Sequence, residues 1–502
     1  MKGFSKNYLL TASLLVLVPY AFFALAMHIG RDSGVFMYSG LIVSEGGMPY
    51  TDSWDHKGPL LYLFNALGFY VFDSVRGVIM IEGLLIFVAL VAAMYLWNRI
   101  LSCTQVVMVA TAFMATFYAT FEGGNLTESW LIPFLLVTYS LGFVAFYENQ
   151  SNDKNSRYVL FSVMIGVSLA VALMTRLNNG LGLLLLACLA FFILKGRRLQ
   201  LFLLSLISFL IVLIPILLWL FFNGAFVNFI DQYFVFNFSY SSGVPLRDRL
   251  ASAYSLLKAV FLSPLGLLTV SLGLYGLVTA NGQIKNTKIL LPILFTAIFL
   301  TDVASQLISG RGYLHYISLA SAAFALVVTS LFSVVELRKF NSDNQALKLA
   351  IGSIFLIAIL VTLVRPIRVV ISLTNSGVAI KGNANNEIAS YLASRTTPQD
   401  LILVHGAETW LLVVTNRRSP TSITYFYPTL SNFKDAFVKY EMDVVSKPPS
   451  YIIETPDGCG LIREICPGKI KNYEKIVQLL LKNYAKEAEV HGYVFWRLKR
   501  TL

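Results

Sequence analysis

Charge is scarce in this chain of 502 residues: Asp, Glu, Lys and Arg make up 13%, against 56% hydrophobic residues. A soluble domain carries nearly twice that share, so a water-facing surface over the whole molecule is excluded. Cysteine is rare as well, with four residues, which rules out a disulfide-dense scaffold. Low-complexity segments and short internal repeats are lacking, which excludes a solenoid. The net charge is +12, yet no RNA- or DNA-binding pattern accompanies it. The basic balance therefore reads as membrane anchoring, with no nucleic-acid partner.

What the chain has instead is long apolar runs. About eleven of them approach the ~20 residues that a helix needs to cross a bilayer. They run Tyr8–Met27, Val78–Trp97, Val106–Thr120, Trp130–Phe146, Tyr158–Thr175, Leu181–Leu194, Leu199–Phe222, Val260–Ala280, Ile289–Ile308, Ile317–Val335 and Leu349–Val364. The first is too long for a signal peptide and no small-residue cleavage site follows it, so it reads as a retained helix. Short basic connectors such as Lys195-Gly196-Arg197-Arg198 place the N-terminus in the cytoplasm. An odd helix count then puts the C-terminus outside.

The expectation is an α-helical polytopic membrane domain over 1–370, followed by a small extracytoplasmic α/β domain over 381–502. In that second part Leu401–Val404, Ser422–Tyr425, Tyr451–Ile453 and Tyr493–Trp496 read as strands. Asn386–Ser394, Glu408–Thr415, Phe433–Val445 and Tyr473–Tyr484 read as helices. Cys459 and Cys466 flank a short loop there and form a candidate disulfide; no neighbouring His favours a metal site. Cys103 and Cys188 are expected to be small buried apolar residues.

Four interruptions of the helical series face the expected outer side: Arg31–Pro59, Glu122–Ser129, Asn223–Lys258 and the turn Gly310–His315. Leu60–Phe72 is apolar but short, which suits a helix lying in the outer interface. The densest polar cluster is the first external loop, 29–59, with Asp32, Asp52, Asp55, His56 and Lys57 beside aromatic residues. A carboxylate at the headgroup boundary is partly desolvated, which raises its basicity.

The order Asp32, Tyr38, Gly47, Pro49-Tyr50, Asp52, Asp55, Lys57-Gly58-Pro59-Leu60 and Tyr62 resembles the first external loop of the GT-C glycosyltransferases that use polyprenyl-phosphate sugars. These include the protein O-mannosyltransferases, the lipid A aminoarabinose transferases and the bacterial glycosyltransferase-39-like proteins. The resemblance implies a GT-C fold, a place in a bacterial inner or plasma membrane, and a catalytic role for Asp32. It implies an acidic residue in the second external loop, Glu122 or Glu128, with Glu128 the better match. Late in the membrane domain it implies that Arg311, His315 and Tyr316 belong to the site. The C-terminal stretch from Val404-His405-Gly406-Ala407-Glu408 to Tyr425-Phe426-Tyr427-Pro428 is similar to the tail domain of bacterial members, and no role carries over.

The chemistry asks for the same parts. A polyprenyl phosphate is a good leaving group, so no general acid is needed. One base takes the proton of the acceptor hydroxyl, and cations steady the charge growing on phosphate. Asp32 is the candidate base; Lys57, Arg311, His315, Tyr316 and Arg176 are candidate donor-phosphate partners. Attack opposite the departing phosphate inverts the anomeric carbon. The partners are a polyprenyl-phosphate sugar, a glycan, lipid or protein acceptor, and membrane lipid. No cofactor is required, and a divalent metal in the acidic loop stays open.

Each residue has a plainer reading. Asp32 can pair with Arg31 or cap a helix; Asp52 and Asp55 can be turn formers; His56 can be a solvated side chain rather than a metal ligand beside Asp55. Lys57 can snorkel to headgroups, and Glu122, Glu128 and Arg176 can bound helix ends. Glu82 and Asp302 fall near or inside spans, where an ionisable group is costly unless paired or facing a polar cavity; Asp302 is close enough to Gly310 to line the same cavity. The aromatic run Tyr233–Tyr240 suits the interface or a polyprenyl chain. Asn125-Leu126-Thr127 and Asn237-Phe238-Ser239 match glycosylation sequons. A flippase or transporter of lipid-linked sugars is the alternative function, and an inactive assembly partner a third.

Overall fold

The first apolar run forms α1 (Lys6–Ala12) and α2 (Val18–Ala26), joined by a π-helical turn at Ser13–Leu17. The structure, a computed structural model, describes residues 6–499 apart from 27–28, 149–154, 243–244, most of 262–286, 307–312, most of 338–383, 426–433, 457–477 and 480–481. The membrane part continues through α3 (Arg31–Ser44), α4 (Pro59–Phe72), α5 (Val75–Trp97), α6 (Cys103–Thr120), α7 (Thr127–Glu148), α8 (Asn155–Thr175), α9 (Leu181–Ile193) and α10 (Arg198–Phe222). Then come α11 (Phe226–Phe229), α12 (Phe236–Ser242), α13 (Leu246–Phe261), α14 (Thr287–Ser305), a 3-10 segment Leu314–Ala320 and α15 (Ser321–Leu337).

Seven helices among the described residues are long and apolar enough to cross a membrane, and α4, Leu177–Ile193 and Leu290–Ser305 are shorter apolar helices. The chain is a multi-pass membrane protein. Two expected spans, Val260–Ala280 and Leu349–Val364, lie largely outside the described residues. In α5, Val78, Glu82, Ile86, Leu90 and Trp97 are buried at helical spacing, while Met80, Leu84, Val88 and Tyr95 face outward. Large apolar side chains on the outer face are what a hydrocarbon surrounding favours.

Between helices in lipid, close packing takes over from the hydrophobic effect, so small residues mark the contacts. Gly166 of α8 has no room for a Cβ, which would meet Ser205 O of α10 at 2.0 Å. Ser205 and Ser208 tie the same pair by donating to Ser162 O and Val163 O at 2.8 and 3.0 Å. Cys103 and Cys188, expected to be buried, are exposed on the outer faces of α6 and α9. The expected burial therefore fails for both.

The C-terminal part holds α16 (Ala384–Ala393), β1 (Ile402–His405), α17 (Trp410–Thr415), α18 (Lys434–Ser446), β2 (Tyr451–Glu454), β3 (Tyr484–Val490) and β4 (Tyr493–Leu498). The sheet order is β1-β2-β4-β3, with β1 and β2 parallel and the other pairs antiparallel. His491 and Gly492 both take positive φ, as a two-residue hairpin turn between β3 and β4 requires. One expectation fails here: Ser422–Tyr425 is irregular rather than a strand. The expected helix Tyr473–Tyr484 lies partly outside the described residues and is helical at 478–479 and 482–483, and Tyr484–Val490 is a strand that was not expected. Its Ala, Lys and Glu favour a helix, but pairing with β4 overrides that preference, and the charges suit an edge strand.

This layer is docked on the start of the membrane domain. Gly34 of α3 lies against Trp410 N, where a Cβ would be 2.7 Å away. Trp54 N donates to Ser422 O at 2.8 Å and Ser419 N to Tyr38 Oη at 3.0 Å, and Arg418 pairs with Glu45. One apolar core runs continuously from the helices into α17 and the sheet.

Candidate active site

The four expected outer interruptions meet at one end of the bundle around a cavity of about 580 Å³. The first contributes Asp32, Asp55, His56 and Lys57; the second Glu122; the third Phe236, Asn237 and Phe238; the fourth Tyr313 and His315. Arg176 and Tyr316 line it too, and the C-terminal layer adds Ala407 and Tyr425.

Arg31–Ser44, expected as loop, is helical, with Gly30 in extended conformation as its N-cap. Asp32 thus sits in the first turn rather than at the cap, with its side chain exposed to the cavity. Among the described residues its carboxylate accepts no hydrogen bond. Arg31 instead donates Nε to Glu408 Oε1 at 2.8 Å, joining the start of α3 to the C-terminal layer.

Lys57-Gly58-Pro59 is held by local geometry. Pro59 opens α4 at a position where a missing N–H costs nothing, and it forces Gly58 into the extended conformation seen. Gly58 N donates to Thr175 O at 2.9 Å, with no space for a Cβ beside Met174 O. The loop is thereby pressed onto the C-terminal end of α8, one residue before Arg176.

Asp55 is 1% exposed and saturated: Tyr62 Oη donates to Oδ2 at 2.9 Å, and His56 N and Tyr425 Oη donate to Oδ1 at 2.7 and 3.1 Å. His56 is largely enclosed rather than solvated, with Nδ1 3.1 Å from Tyr425 Oη and Nε2 2.6 Å from Lys57 Nζ. Burial, then the Lys57 charge, pushes the His56 imidazole below its ordinary range, so it is neutral at pH 7. Burial lowers Lys57 as well, and the Asp55 carboxylate works against that. Burial pushes the Asp55 carboxyl up, but the hydrogen bonds from His56 and the Lys57 charge outweigh it and hold it low.

Asp52 has a different place. Its Oδ2 accepts Met48 N at 2.7 Å and closes a turn, the plainer of its two readings. Tyr38 and Tyr62 are buried behind the cavity: Tyr62 braces Asp55, and Tyr38 binds Ser419.

The second loop turns through positive φ at Gly123, Gly124 and Asn125. Asn125 is fully buried and bonded in all directions, which withdraws its sequon from modification. Its Nδ2 donates to Asn65 Oδ1 and Ser33 Oγ at 2.8 and 3.1 Å, its Oδ1 accepts Trp130 Nε1 at 2.7 Å, and its N donates to Glu82 Oε2 at 2.5 Å. Glu82 also accepts Tyr20 Oη at 2.8 Å, so this ionisable residue of α5 is paired. Glu122 faces the cavity with Oε2 2.9 Å from His315 Nδ1. Glu128, the better match to the family pattern, does not line the cavity: it is 1% exposed and pairs with Arg176.

The Arg176 guanidinium lies 4.0 Å above the Tyr316 ring while reaching the cavity. Asn237 of the second sequon donates Nδ2 to His56 O at 2.7 Å, and Tyr233 is buried while Phe236 and Phe238 line the cavity. Asp302 is absent from the lining; it is buried in α14 and accepts Tyr139 Oη at 2.9 Å. Arg311 and the Cys459/Cys466 pair lie outside the described residues. Among the described residues no three His, Cys, Asp or Glu side chains are grouped to hold a metal ion.

Sequence reasoning gave Tyr425, Glu408, Asn125 and Asn237 no part in the site. Tyr425 and Glu408 fell inside the similarity of the C-terminal stretch to bacterial tail domains, and Asn125 and Asn237 were read only as sequons.

No protein-family model matches this sequence, and no curated protein does. Among solved structures the chain is similar to ArnT from Cupriavidus metallidurans bound to undecaprenyl phosphate, with TM-score 0.65, 13% identity and 99% of each chain covered. The apo form of the same protein matches with TM-score 0.62 and 12% identity, over 96% of this chain and 97% of that one. An oligosaccharyltransferase of Archaeoglobus fulgidus tethered with an acceptor peptide gives TM-score 0.48 at 11% identity, over 90% of this chain and 70% of that one. At such identities a likeness speaks for the fold, and over its whole length, helices and C-terminal layer together, this chain has the GT-C fold that its first loop led us to expect.

Proposed function

We propose that this protein is an inverting glycosyltransferase that moves a sugar from a polyprenyl-phosphate donor to an acceptor on the extracytoplasmic face, with Asp32 as the general base. The observation that carries the reading is the cavity itself. An exposed carboxylate, Asp32, faces the cations Lys57 and Arg176 across about 580 Å³, at one end of a bundle shared with a structure that holds undecaprenyl phosphate.

The acceptor hydroxyl gives its proton to Asp32 as its oxygen bonds the anomeric carbon. The bond from that carbon to the phosphate oxygen breaks, and both electrons leave with the polyprenyl phosphate. Lys57 and Arg176 stand where that charge collects, and stabilising it in a desolvated site is the largest lever such a reaction has. Arg311, His315 and Tyr316 complete the phosphate side of the proposal, with Glu122 paired to His315. Phe236 and Phe238 offer an apolar wall to the first isoprenes. The acceptor is a cell-envelope glycan, a lipid or a protein.

A flippase would be expected to carry its polar groups near the bilayer midplane. Here Glu82 and Asp302 are bonded to Tyr20 and Tyr139 inside the bundle, and the open polar groups collect at one end. With the basic connectors in the cytoplasm, that end is extracytoplasmic. The test is transfer from a polyprenyl-phosphate sugar by the purified protein. Asp32→Asn should lower the rate by about 10²–10⁴-fold while the protein still binds undecaprenyl phosphate. Transfer by this variant at the wild-type rate would overturn the assignment.

A further inference from the structure

A lysine ammonium has three donors and no acceptor. At 2.6 Å from His56 Nε2, Lys57 Nζ therefore donates, and Nε2 accepts. The ring hydrogen of the neutral imidazole is then on Nδ1, where it needs an acceptor. Two acceptors are within reach of it, Tyr425 Oη at 3.1 Å and Asp55 Oδ1 at 3.3 Å; the nearer, Tyr425 Oη, takes it and donates its own hydrogen to Asp55 Oδ1, also at 3.1 Å. The chain of donors runs in one direction, from the Lys57 cation through His56 and Tyr425 to the Asp55 anion. The Asp55 end is anchored by Tyr62 and the His56 backbone by Asn237.

From this geometry we infer that Tyr425 is a positioning residue of the site: its hydroxyl fixes the orientation of His56, which holds the Lys57 ammonium toward the lipid phosphate. The C-terminal layer then contributes a working part and not a cover. The Tyr425 ring already has a reason to sit where it does, packed 5.8 Å from the Trp54 ring. Exchanging Tyr425 for Phe keeps this ring contact and removes only the hydroxyl, which separates the two roles. The inference rests on the reading of Lys57 as a phosphate partner.

The experiment measures binding of undecaprenyl phosphate and of undecaprenol to the full-length protein in detergent. The two lipids differ only in the headgroup, so their affinity ratio reports the phosphate contact, whereas loosened packing weakens both alike. Lys57→Ala should remove the preference for the phosphate. Tyr425→Phe keeps the ring and should cut the preference about 5–10-fold with undecaprenol binding unchanged. His56→Ala should do the same, and the double variant should be no worse than His56→Ala, because both act through one chain.

A wild-type preference in Tyr425→Phe, with Lys57→Ala impaired, overturns the inference and leaves the function standing. Equal weakening of both lipids by Tyr425→Phe overturns it too. A preference retained in Lys57→Ala overturns the phosphate reading beneath it. Should Tyr425→Phe not fold, His56→Ala reads the same chain from its other member, and its failure to change the preference counts against the inference equally.

Discussion

Gly58 lies against the carbonyl of Met174 so closely that a Cβ would stand 2.1 Å from that oxygen. The contact is backbone on backbone, and no side-chain rotation relieves it. Gly58→Ala must therefore push the Lys57 loop away from α8, at a cost of about 1–3 kcal/mol, the usual range for overpacking. Thermal unfolding in detergent should show the loss. Undecaprenyl phosphate binding should fall with it, because this contact ties the Lys57 loop to the end of α8 beside Arg176.

Glu82 gathers Tyr20 and the Asn125 loop inside the bundle. Tyr20→Phe removes one buried donor and should destabilise by about 1 kcal/mol, near the average for hydrogen bonds between membrane helices. Glu82→Ala leaves both the Tyr20 hydroxyl and the Asn125 N–H unpaired and should cost about 2–4 kcal/mol. It should also slow transfer, because the Asn125 loop carries Glu122 and bonds Ser33 beside Asp32. Unfolding curves and transfer rates on the same preparations check both statements.

Phosphate binding should fade in alkali earlier than an ordinary lysine would allow. Lys57 must be charged to hold phosphate, so binding is present below its pKa and lost as pH rises through it. Burial lowers that pKa from the usual value of about 10.4, against the pull of Asp55, Asp32 and Glu128 and with the push of Arg176. Asp55→Asn removes the largest opposing charge and should move the alkaline limb to still lower pH. A titration of undecaprenyl phosphate affinity from pH 7 upward measures the shift, and an unmoved limb would count against Lys57 as the titrating cation.

Glu122 and Glu128 should respond differently to loss of charge. Glu122→Gln alters a carboxylate that faces the cavity and should reduce transfer with little effect on stability. Glu128→Gln leaves the Arg176 guanidinium buried without its counter-charge, and breaking such a pair costs about 3–5 kcal/mol. Thermal unfolding and transfer assays on the two variants separate the roles.

The helices were legible because hydrocarbon imposes one rule, length with apolarity, and α5 to α10 obey it within a few residues. The loop motif was legible through Asp32 and Lys57, which resemblance placed and the cavity brings together. The helix over Arg31–Ser44 was missed because its Ser and Gly residues look loop-like, although Ser33–Leu41 are buried on every side. Strand β3 was missed because its Ala, Lys and Glu residues carry no strand signal. Glu122 was ranked below Glu128 because the pattern counts positions, whereas three consecutive residues with positive φ decide which acid reaches the cavity. Tyr425 is about 370 residues from the histidine it meets, a pairing that no local pattern encodes.

Arg31 and Glu408 join the first turn after the first apolar helix to a segment 377 residues further on. The ribosome makes these parts far apart in time. The early loop with Asp32 and Lys57 is delivered while most helices are still unmade, and the wall that contains Ala407, Glu408 and Tyr425 follows hundreds of residues later. A half-finished chain in the membrane thus holds the acid and the cations without the enclosure that aligns them. The molecule acquires its complete cavity only after the segment around Tyr425 has been made, so a chain cut before that segment should be unable to consume the lipid carrier.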